Sequence, residues 1–378
     1  MYYEKNTRRE YPMTARVSLE IRRMLKDIEK FSPIKTLETL GLNLKKKPRG
    51  YPNKTILSII LIATLLARSI ESIVDFLTQL NAREKISADN LLRLMKSMTL
   101  DALERTVNDM LRKMVKHVWW KKRATLIAFD ITDELFYGNS KTRHVKATKP
   151  RKGTSRAFRF LIGSIVSRYG KFIVYIHLLR KDEDLLDALK TGIRHVRTIV
   201  KIGTILLDRG FFSVKTLRML LNMRHRFIMA LPQTESLRKL NLTKSCIFRH
   251  RFTSKNHGSV IVWVVARIDD KRNPIFYAVL SRKMVRKPSD VHWTYQKKRW
   301  RIEINNKMIK LYKARTSSRD PRIRLFLFAF SCLIYNSWLI SGFNMVKSAK
   351  KKLNAPIHYR YYSVWSILVA FHTILRLL

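Results

Sequence analysis

Apolar residues recur at three- and four-residue steps through residues 54–120, and this spacing predicts a group of helices. The repeats cover 56–66, 70–80, 91–98 and 103–118. A polar turn at 81–87 separates the second repeat from the third, and Ser87 and Asp89 are suited to cap the third helix. Segment 54–120 is therefore predicted to be all-helical.

The pattern changes at residue 124, where short apolar runs replace the helical repeat. Three strands are predicted at 124–129, 158–167 and 171–179, with a basic loop at 140–155 and a tight turn at Tyr169-Gly170. After these strands the sequence predicts a helix that begins with the acids at 182–184 and ends near residue 200, a strand at 203–207, a helix at 213–223 and a strand at 227–231. This order predicts an α/β fold with a mixed sheet, and it matches the ribonuclease-H-like order.

The residues after this alternation predict an insertion and further helices. A β-rich insertion at about 240–290 is predicted from runs rich in Val, Ile, Phe, Tyr and Trp at 245–252, 259–268 and 275–281. Helices are predicted at 295–315, 323–340 and 361–378. The apolar segments at 56–67, 325–340 and 364–378 are short or interrupted by polar residues, which favours buried core helices over membrane spans.

These patterns divide the chain into four predicted parts. Residues 1–53 form a basic segment that contains a possible helix at 18–31 and ends in a linker. This segment is followed by the helical region at 54–120, a catalytic domain at 121–345 and a C-terminal helical region at 346–378.

The charge of the chain narrows its class of partner. Lys+Arg number 77 against 27 Asp+Glu, a formal net charge of +50 spread along the whole sequence. A fold this cationic repels itself, so a polyanion is expected as partner, with nucleic acid first and an anionic membrane surface as the alternative. The helices at 70–80 and 91–98 fit helix-turn-helix DNA binding, although any small helical bundle shows the same pattern.

Cysteine content and the first residues indicate a compartment. The 2 cysteines, Cys246 and Cys332, are far apart and support neither a structural zinc site nor a disulfide framework. The first ten residues, MYYEKNTRRE, contain no apolar signal core, so a reducing cytoplasm is expected.

Three isolated carboxylates carry the candidate chemistry. Asp130 and Asp208 each directly follow a predicted apolar strand, at the end of an α/β sheet where sites gather. Glu303 lies within a basic helix beside Arg299 and Lys307. The alternatives are turn capping for each Asp and a surface ion-pair network for Glu303. Oxygen ligands from three elements suit Mg²⁺, with Mn²⁺ as a substitute, and predict metal-dependent phosphodiester chemistry.

Three blocks of sequence resemble the DDE transposases of the IS4-like group of insertion sequences. They are IAFDITD at 127–133, LLDRGFFS at 206–213 and YQKKRWRIEINNKMIK at 295–310. The last is similar to the group's Tyr–Arg–Glu–Lys signature, with Arg299, Glu303 and Lys310 in register and Tyr295 one residue further from the Arg than usual.

The resemblance implies a ribonuclease-H-like domain with a metal triad of Asp130, Asp208 and Glu303. It also implies a β-rich insertion between the second Asp and the Glu. The implied contacts with DNA are Tyr295, Arg299, Lys310, Lys307, Arg209 and Trp293.

The resulting functional hypothesis is a cut-and-paste transposase that binds terminal inverted repeats and joins 3′ hydroxyls to target DNA. A homodimer on the DNA ends follows from the same resemblance. The expected location is the cytoplasm, on the nucleoid when the protein is bound to DNA, and no membrane partner is expected. The residues themselves leave two alternatives open: a basic nucleic-acid-binding protein without catalysis, and a stand-alone nuclease of the same fold.

Overall fold

The computed structural model describes residues 33–39, 44, 51–82, 86–118, 124–151, 153–166, 171–270, 273–348, 369–370, 373–374 and 377–378. For 35–36, 39, 117–118, 298–305 and 341–348 it describes the backbone alone. The helix predicted at 18–31, the turn at Tyr169-Gly170 and most of the helix predicted at 361–378 lie outside the described residues.

Five described helices precede the sheet. They are α1 (Pro33–Thr39), α2 (Asn53–Leu65), α3 (Ile70–Gln79), α4 (Ala88–Met95) and α5 (Leu100–Val118). The predicted helices of 54–120 coincide with α2 to α5, and the Ser87 hydroxyl caps α4 by accepting a hydrogen bond from the Asn90 amide. Helix α1 lies in the basic segment 1–53, at residues where no helix was predicted.

The rest of the described chain alternates between strands and helices. The strands are β1 (Thr125–Leu135), β2 (Lys146–Arg151), β3 (Thr154–Val166), β4 (Lys171–Leu178), β5 (Ile202–Leu207), β6 (Phe227–Ala230), β7 (Cys246–Ser254), β8 (Gly258–Ile268) and β9 (Pro274–Val279). The helices are α6 (Leu185–Arg197), α7 (Val214–Asn222), α8 (Glu235–Arg238), α9 (Pro288–Leu311) and α10 (Pro321–Ser348). The predicted mixed α/β class is confirmed.

All nine described strands form one mixed sheet. Its order is β2-β3-β1-β5-β6-β9-β8-β7, and β4 pairs with β3 as well. The neighbours β1, β5 and β6 run parallel, and the other pairs are antiparallel. The three strands of the predicted β-rich insertion therefore extend the central sheet beyond β6 instead of forming a separate unit.

Two sequence predictions about the strands were wrong. The first strand was expected to end before Asp130, but β1 runs on to Leu135 because the long antiparallel partner β3 pairs with this extension as well. The basic loop predicted at 140–155 contains β2, which pairs with β3 through a turn at Gly153. Both faces of β2 are largely exposed, so no apolar alternation marks it in the sequence.

Helices cover both faces of the sheet. Helices α5 and α10 pack on β4, α6 packs on β3 and β4, and α9 lies across β8 and β1. Close approach of α6 depends on Gly192, where an added Cβ would lie 2.9 Å from the Phe129 ring. Phe129 directly precedes Asp130, so this packing supports the position of that carboxylate.

Helix α10 contains a long apolar stretch. Pro321–Ile340 is long and apolar enough to cross a bilayer, and 94% of its apolar window is buried inside the protein. The prediction of a buried core helix at 323–340 fits this burial.

Two asparagines cover the outer edge of β4. The Asn108 side chain of α5 accepts from the Ile176 amide and donates to the Ile176 carbonyl, both at 2.9 Å. The Asn336 side chain of α10 does the same for Ile173, at 3.0 and 2.8 Å. Each amide reproduces the two hydrogen bonds of a neighbouring strand, so this edge is satisfied from within the chain.

A charged cluster joins α5 to the end of β4. The His177 ring contacts the Glu104 carboxylate at 3.0 Å and the Glu183 carboxylate at 2.8 Å. Burial alone would lower the pKa of His177, but the hydrogen bonds and charges of the two glutamates raise it to about 9. His177 is therefore an imidazolium that ties α5 to the sheet.

We expect His177→Asn to lower the free energy of unfolding at neutral pH and to flatten its pH dependence. A folded-state pKa raised from 6.5 to about 9 gives stability that is complete below pH 6.5 and lost as the pH rises through 9. Urea denaturation between pH 6 and 10 measures this profile, with His257→Asn on the β7–β8 turn as control. An unchanged slope in His177→Asn would contradict the imidazolium assignment.

Candidate active site

The sheet brings Asp130 and Asp208 together. Parallel strands β1 and β5 pair Phe129 with Leu207, the residues directly before the two aspartates. Since adjacent strands lie about 4.8 Å apart and matched residues point to the same face, the two carboxylates are neighbours. Strand β5 ends at Leu207 while β1 continues, so the space beyond β5 opens beside Asp130.

That space is a cleft of about 750 Å³. Its lining includes Asp130 and Asp208, together with the basic side chains Lys149, Arg151, Arg159 and Arg209. Two carboxylates at the floor and cations at the rim are the arrangement expected for a metal site that receives a phosphate.

Helix α9 reaches the cleft from the insertion side. The Asn306 side-chain amide donates to Asp130 Oδ2 at 2.6 Å. Position 303 precedes Asn306 by three residues on the same helix, so the two positions are neighbours on its surface. The backbone therefore places Glu303 one turn from the contact with Asp130, while its side chain lies outside the description.

Asp208 also caps a turn. Its Oδ1 accepts a hydrogen bond from the Arg209 amide at 2.6 Å, at the start of a short 3-10 turn. Asp208 therefore caps a turn, which was the alternative interpretation, and it also lines the cleft.

A third acid, Asp133, lines both this cleft and a neighbouring one of about 460 Å³. Its carboxylate pairs with Arg159 at 2.9 Å and accepts from the Thr148 hydroxyl. These contacts fix the β1 extension to β2 and β3, which gives Asp133 a supporting role beside the site.

Three of the predicted DNA contacts lie at these clefts. Arg209 lines the first, and Lys307 and Lys310 line the second. The Lys310 ammonium donates to the Asp133 carbonyl at 2.9 Å, which holds α9 against β1.

The remaining predicted contacts differ in accessibility. Trp293 is 57% exposed, with the Lys297 ammonium 4.4 Å from its ring centroid. Tyr295 is only 2% exposed and packs against Tyr277 at a ring distance of 5.1 Å, so it lies in the core of this structure, and its contact with DNA stays a prediction. The side chain of Arg299 lies outside the description.

Sequence reasoning did not assign Asn306, Thr148 or Arg159 to the site. Asn306 stands three residues after Glu303, and that spacing is the one sequence signal that could have placed it. Thr148 and Arg159 belong to strands whose pairing is visible only in the fold.

The donor set fits a hard divalent cation as far as the described side chains extend. Among them no cluster of three or more His, Cys, Asp or Glu side chains forms a metal site. Two carboxylates, Asp130 and Asp208, do share the cleft, and oxygen donors of this kind are the ligands of Mg²⁺. Glu303 remains the predicted third ligand.

Replacing Asn306 with alanine is expected to weaken metal binding. Without the amide, one oxygen of Asp130 loses its orienting donor, and outer-shell partners of this kind are worth about 10- to 100-fold in metal affinity. The midpoint of the thermal shift during a Mn²⁺ titration measures this affinity, and Asn222→Ala at the exposed end of α7 is the control. An unchanged midpoint would exclude the positioning role.

Comparison with known proteins gives two kinds of match. A family described as "Transposase DDE domain" matches residues 143–337, a span that includes Asp208 and Glu303 and begins after Asp130. No curated protein matches the sequence at a significant level.

Among solved structures, the chain is similar to one described as a piggyBac transposase synaptic complex with hairpin DNA. The TM-score is 0.57 at 12% identity, over 94% of this chain and 80% of that one. A Mos1 transposase paired-end complex with the left transposon end gives a TM-score of 0.18 at 16% identity, over 48% of this chain and 61% of that one. The first likeness supports the ribonuclease-H-like fold.

Proposed function

This chain belongs to the transposase DDE domain family, and from that premise we propose that it cleaves the ends of a mobile DNA element and joins them to a new site. The observation that carries the proposal is the pair Asp130 and Asp208, side by side on one face of the sheet in a cleft with a basic rim. A protein that only binds nucleic acid has no need of two neighbouring carboxylates among so many cations. Their position favours catalysis.

The residues of the cleft have different proposed roles. Asp130, Asp208 and Glu303 would hold one or two divalent cations, which when bound lower the pKa of a water and stabilise charge on the leaving oxygen. Asn306 orients Asp130 through its hydrogen bond. Arg209, Arg151 and Lys149 bind the phosphates on either side of the reacting one, because they line the same cleft.

The proposed reaction has two displacements. In cleavage, a water loses a proton and its oxygen bonds to phosphorus, the bond from phosphorus to the 3′ oxygen breaks, and that oxygen takes up a proton. In joining, the freed 3′ hydroxyl loses its proton, its oxygen bonds to a phosphorus of the target, and a target 3′ oxygen leaves and takes up a proton. Both displacements need the same carboxylates and the same basic rim.

Recognition of the element's ends is proposed for the helical region. Helix α4 exposes Asp89 in its first turn and Arg93 in its last, and Lys96 follows at the C-cap, whereas α3 exposes two acids, Glu71 and Asp75, and no cation. A polyanion is repelled by α3 and attracted by α4, so α4 is the proposed DNA-facing helix. The IS4-like assignment is proposed from the signature at 295–310, and with it a homodimer on paired ends in the cytoplasm.

The test uses the full chain with plasmid DNA that carries the sequences flanking its gene. We expect nicks at the element's ends with Mg²⁺ or Mn²⁺ and none with EDTA. Pre-cut ends with a free 3′ hydroxyl should then be joined to a second plasmid. Binding without cleavage in either metal would support the non-catalytic alternative, and cleavage without joining would support the stand-alone nuclease.

A further inference from the structure

Three arginines lie on one face of the insertion strands, and these strands contain no Lys, Asp or Glu. The strands β7, β8 and β9 contain Arg249, Arg251 and Arg267 and no acidic residue. Strand pairing sets Arg249 opposite Trp263 and Arg251 opposite Ile261. Residues 261, 263 and 267 share one side of β8 because side chains alternate along a strand, so the three arginines share that side.

The same side of the sheet carries the catalytic carboxylates. Trp263 pairs with Val279, Val279 with Ile228, and Ile228 with Leu206. Leu206 and Asp208 are two apart on β5, which places Asp208 on this side. Asp208, Asp130 and the arginines of β7 therefore lie on the same side of the sheet, and the start of α9 packs on the strands between them through Val291 and Tyr295.

The arginine end of this face is open. Arg249 and Arg251 are exposed, and Ile261 beside them is 40% exposed. The reverse side of the hairpin is packed, with Phe252 in edge contact with Phe212. The hairpin is also held in place, since the Arg218 guanidinium of α7 donates to the carbonyls of His257 and Ser259 at its turn. A braced strand pair thus presents its cationic side outward.

We propose that this arginine face, Arg249 and Arg251 with Arg267, binds the phosphates of the DNA duplex whose reacting phosphate lies at Asp130 and Asp208. The inference rests on the function proposed above and adds the path of the duplex. Four strand steps of about 4.8 Å separate β5 from β7, so the arginines lie about 20 Å from the carboxylates. At about 3.4 Å per base pair, the contact falls about six base pairs from the reacting phosphate.

The proposal is tested by measuring how tightly the protein binds a labelled end duplex. Fluorescence anisotropy gives the affinity in metal-free buffer at a series of salt concentrations. Each phosphate contact contributes about 0.9 to the slope of log affinity against log salt, so Arg249→Ala/Arg251→Ala should lower the slope by about 2. The matched control is Arg194→Ala/Arg197→Ala, two exposed arginines on α6 at the opposite face. Equal losses in both double variants would mean that net charge alone matters, and would overturn the proposal.

Placement is tested with duplexes that carry neutral methylphosphonates. We expect neutral linkages about six base pairs from the reacting phosphate to weaken the wild type and to leave the double variant unchanged. Equal weakening wherever the neutral linkages stand would overturn the path. Cleavage measured after Mg²⁺ or Mn²⁺ is added to the same wild-type samples keeps the two proposals apart, because binding that depends on the arginines without cleavage would refute only the catalytic function.

Discussion

Replacing Asp208 with asparagine is expected to abolish metal-dependent cleavage while leaving DNA affinity unchanged. The substitution keeps the size of the side chain and its ability to cap the turn at Arg209, and it removes only the negative charge. Loss of even one electrostatic stabiliser in an active site costs about 10²- to 10³-fold in rate, so a loss of at least about 10³-fold is expected for a metal ligand. Plasmid nicking with Mg²⁺ or Mn²⁺ measures the rate.

The control for this experiment is Asp187→Asn. Asp187 is an exposed acid in the first turn of α6, outside the lining of either cleft, and its neutralisation changes the net charge equally. A second readout is the thermal shift produced by Mn²⁺, which should vanish in Asp208→Asn and persist in the control. Full cleavage by Asp208→Asn would refute the catalytic assignment.

Replacing Glu134 with glutamine is expected to cause the largest loss of stability. Glu134 Oε1 accepts from the Lys313 ammonium at 2.9 Å and the Arg324 guanidinium at 2.7 Å, with 11% of its side chain exposed. Burial would raise the pKa of Glu134, but the charges of Lys313 and Arg324 hold it below its ordinary value. Breaking a buried ion pair leaves uncompensated charge inside, at a cost of about 3–5 kcal/mol.

Urea denaturation at neutral pH gives the free energy of unfolding for this comparison. Glu235 is the matched control, because it also pairs with a lysine, Lys239 at 2.7 Å, but is 76% exposed. Glu235→Gln should cost no more than about 0.5 kcal/mol. A loss below about 1 kcal/mol for Glu134→Gln would contradict the buried ion pair. Glu134 lies four residues after Asp130 on β1, so its loss also loosens the strand that carries the site.

The elements with a strong local pattern were predictable from sequence. Helices α2 to α5 follow apolar repeats, and β4 to β6 are short apolar runs. The Asp184 carboxylate caps α6 by accepting from the Leu186 amide, as the acids at 182–184 suggested. The neighbouring carboxylates Asp130 and Asp208 were predictable for the same reason, because each directly follows an apolar run.

Other features depend on partners distant in the sequence. The extension of β1 and the edge strand β2 exist because β3 is long enough to pair with both. The burial of Tyr295 depends on Tyr277, and the bond from Asn306 to Asp130 joins positions on two separate elements. No local pattern carries these facts, since an asparagine or tyrosine in a helix looks the same whether it faces solvent, core or site.

The two asparagines that hydrogen-bond to β4 close that edge of the sheet to a further strand. At that end, Asn108 and Asn336 occupy hydrogen-bonding positions that another strand would need. At the other end, β7 is the last strand of the order and contains Arg249 and Arg251. Insertions can lengthen this sheet by adding strands after β6, as β7 to β9 already do, without disturbing Asp130 or Asp208. A longer relative is therefore expected to carry its extra strands there, which would widen the sheet and leave the active site unchanged.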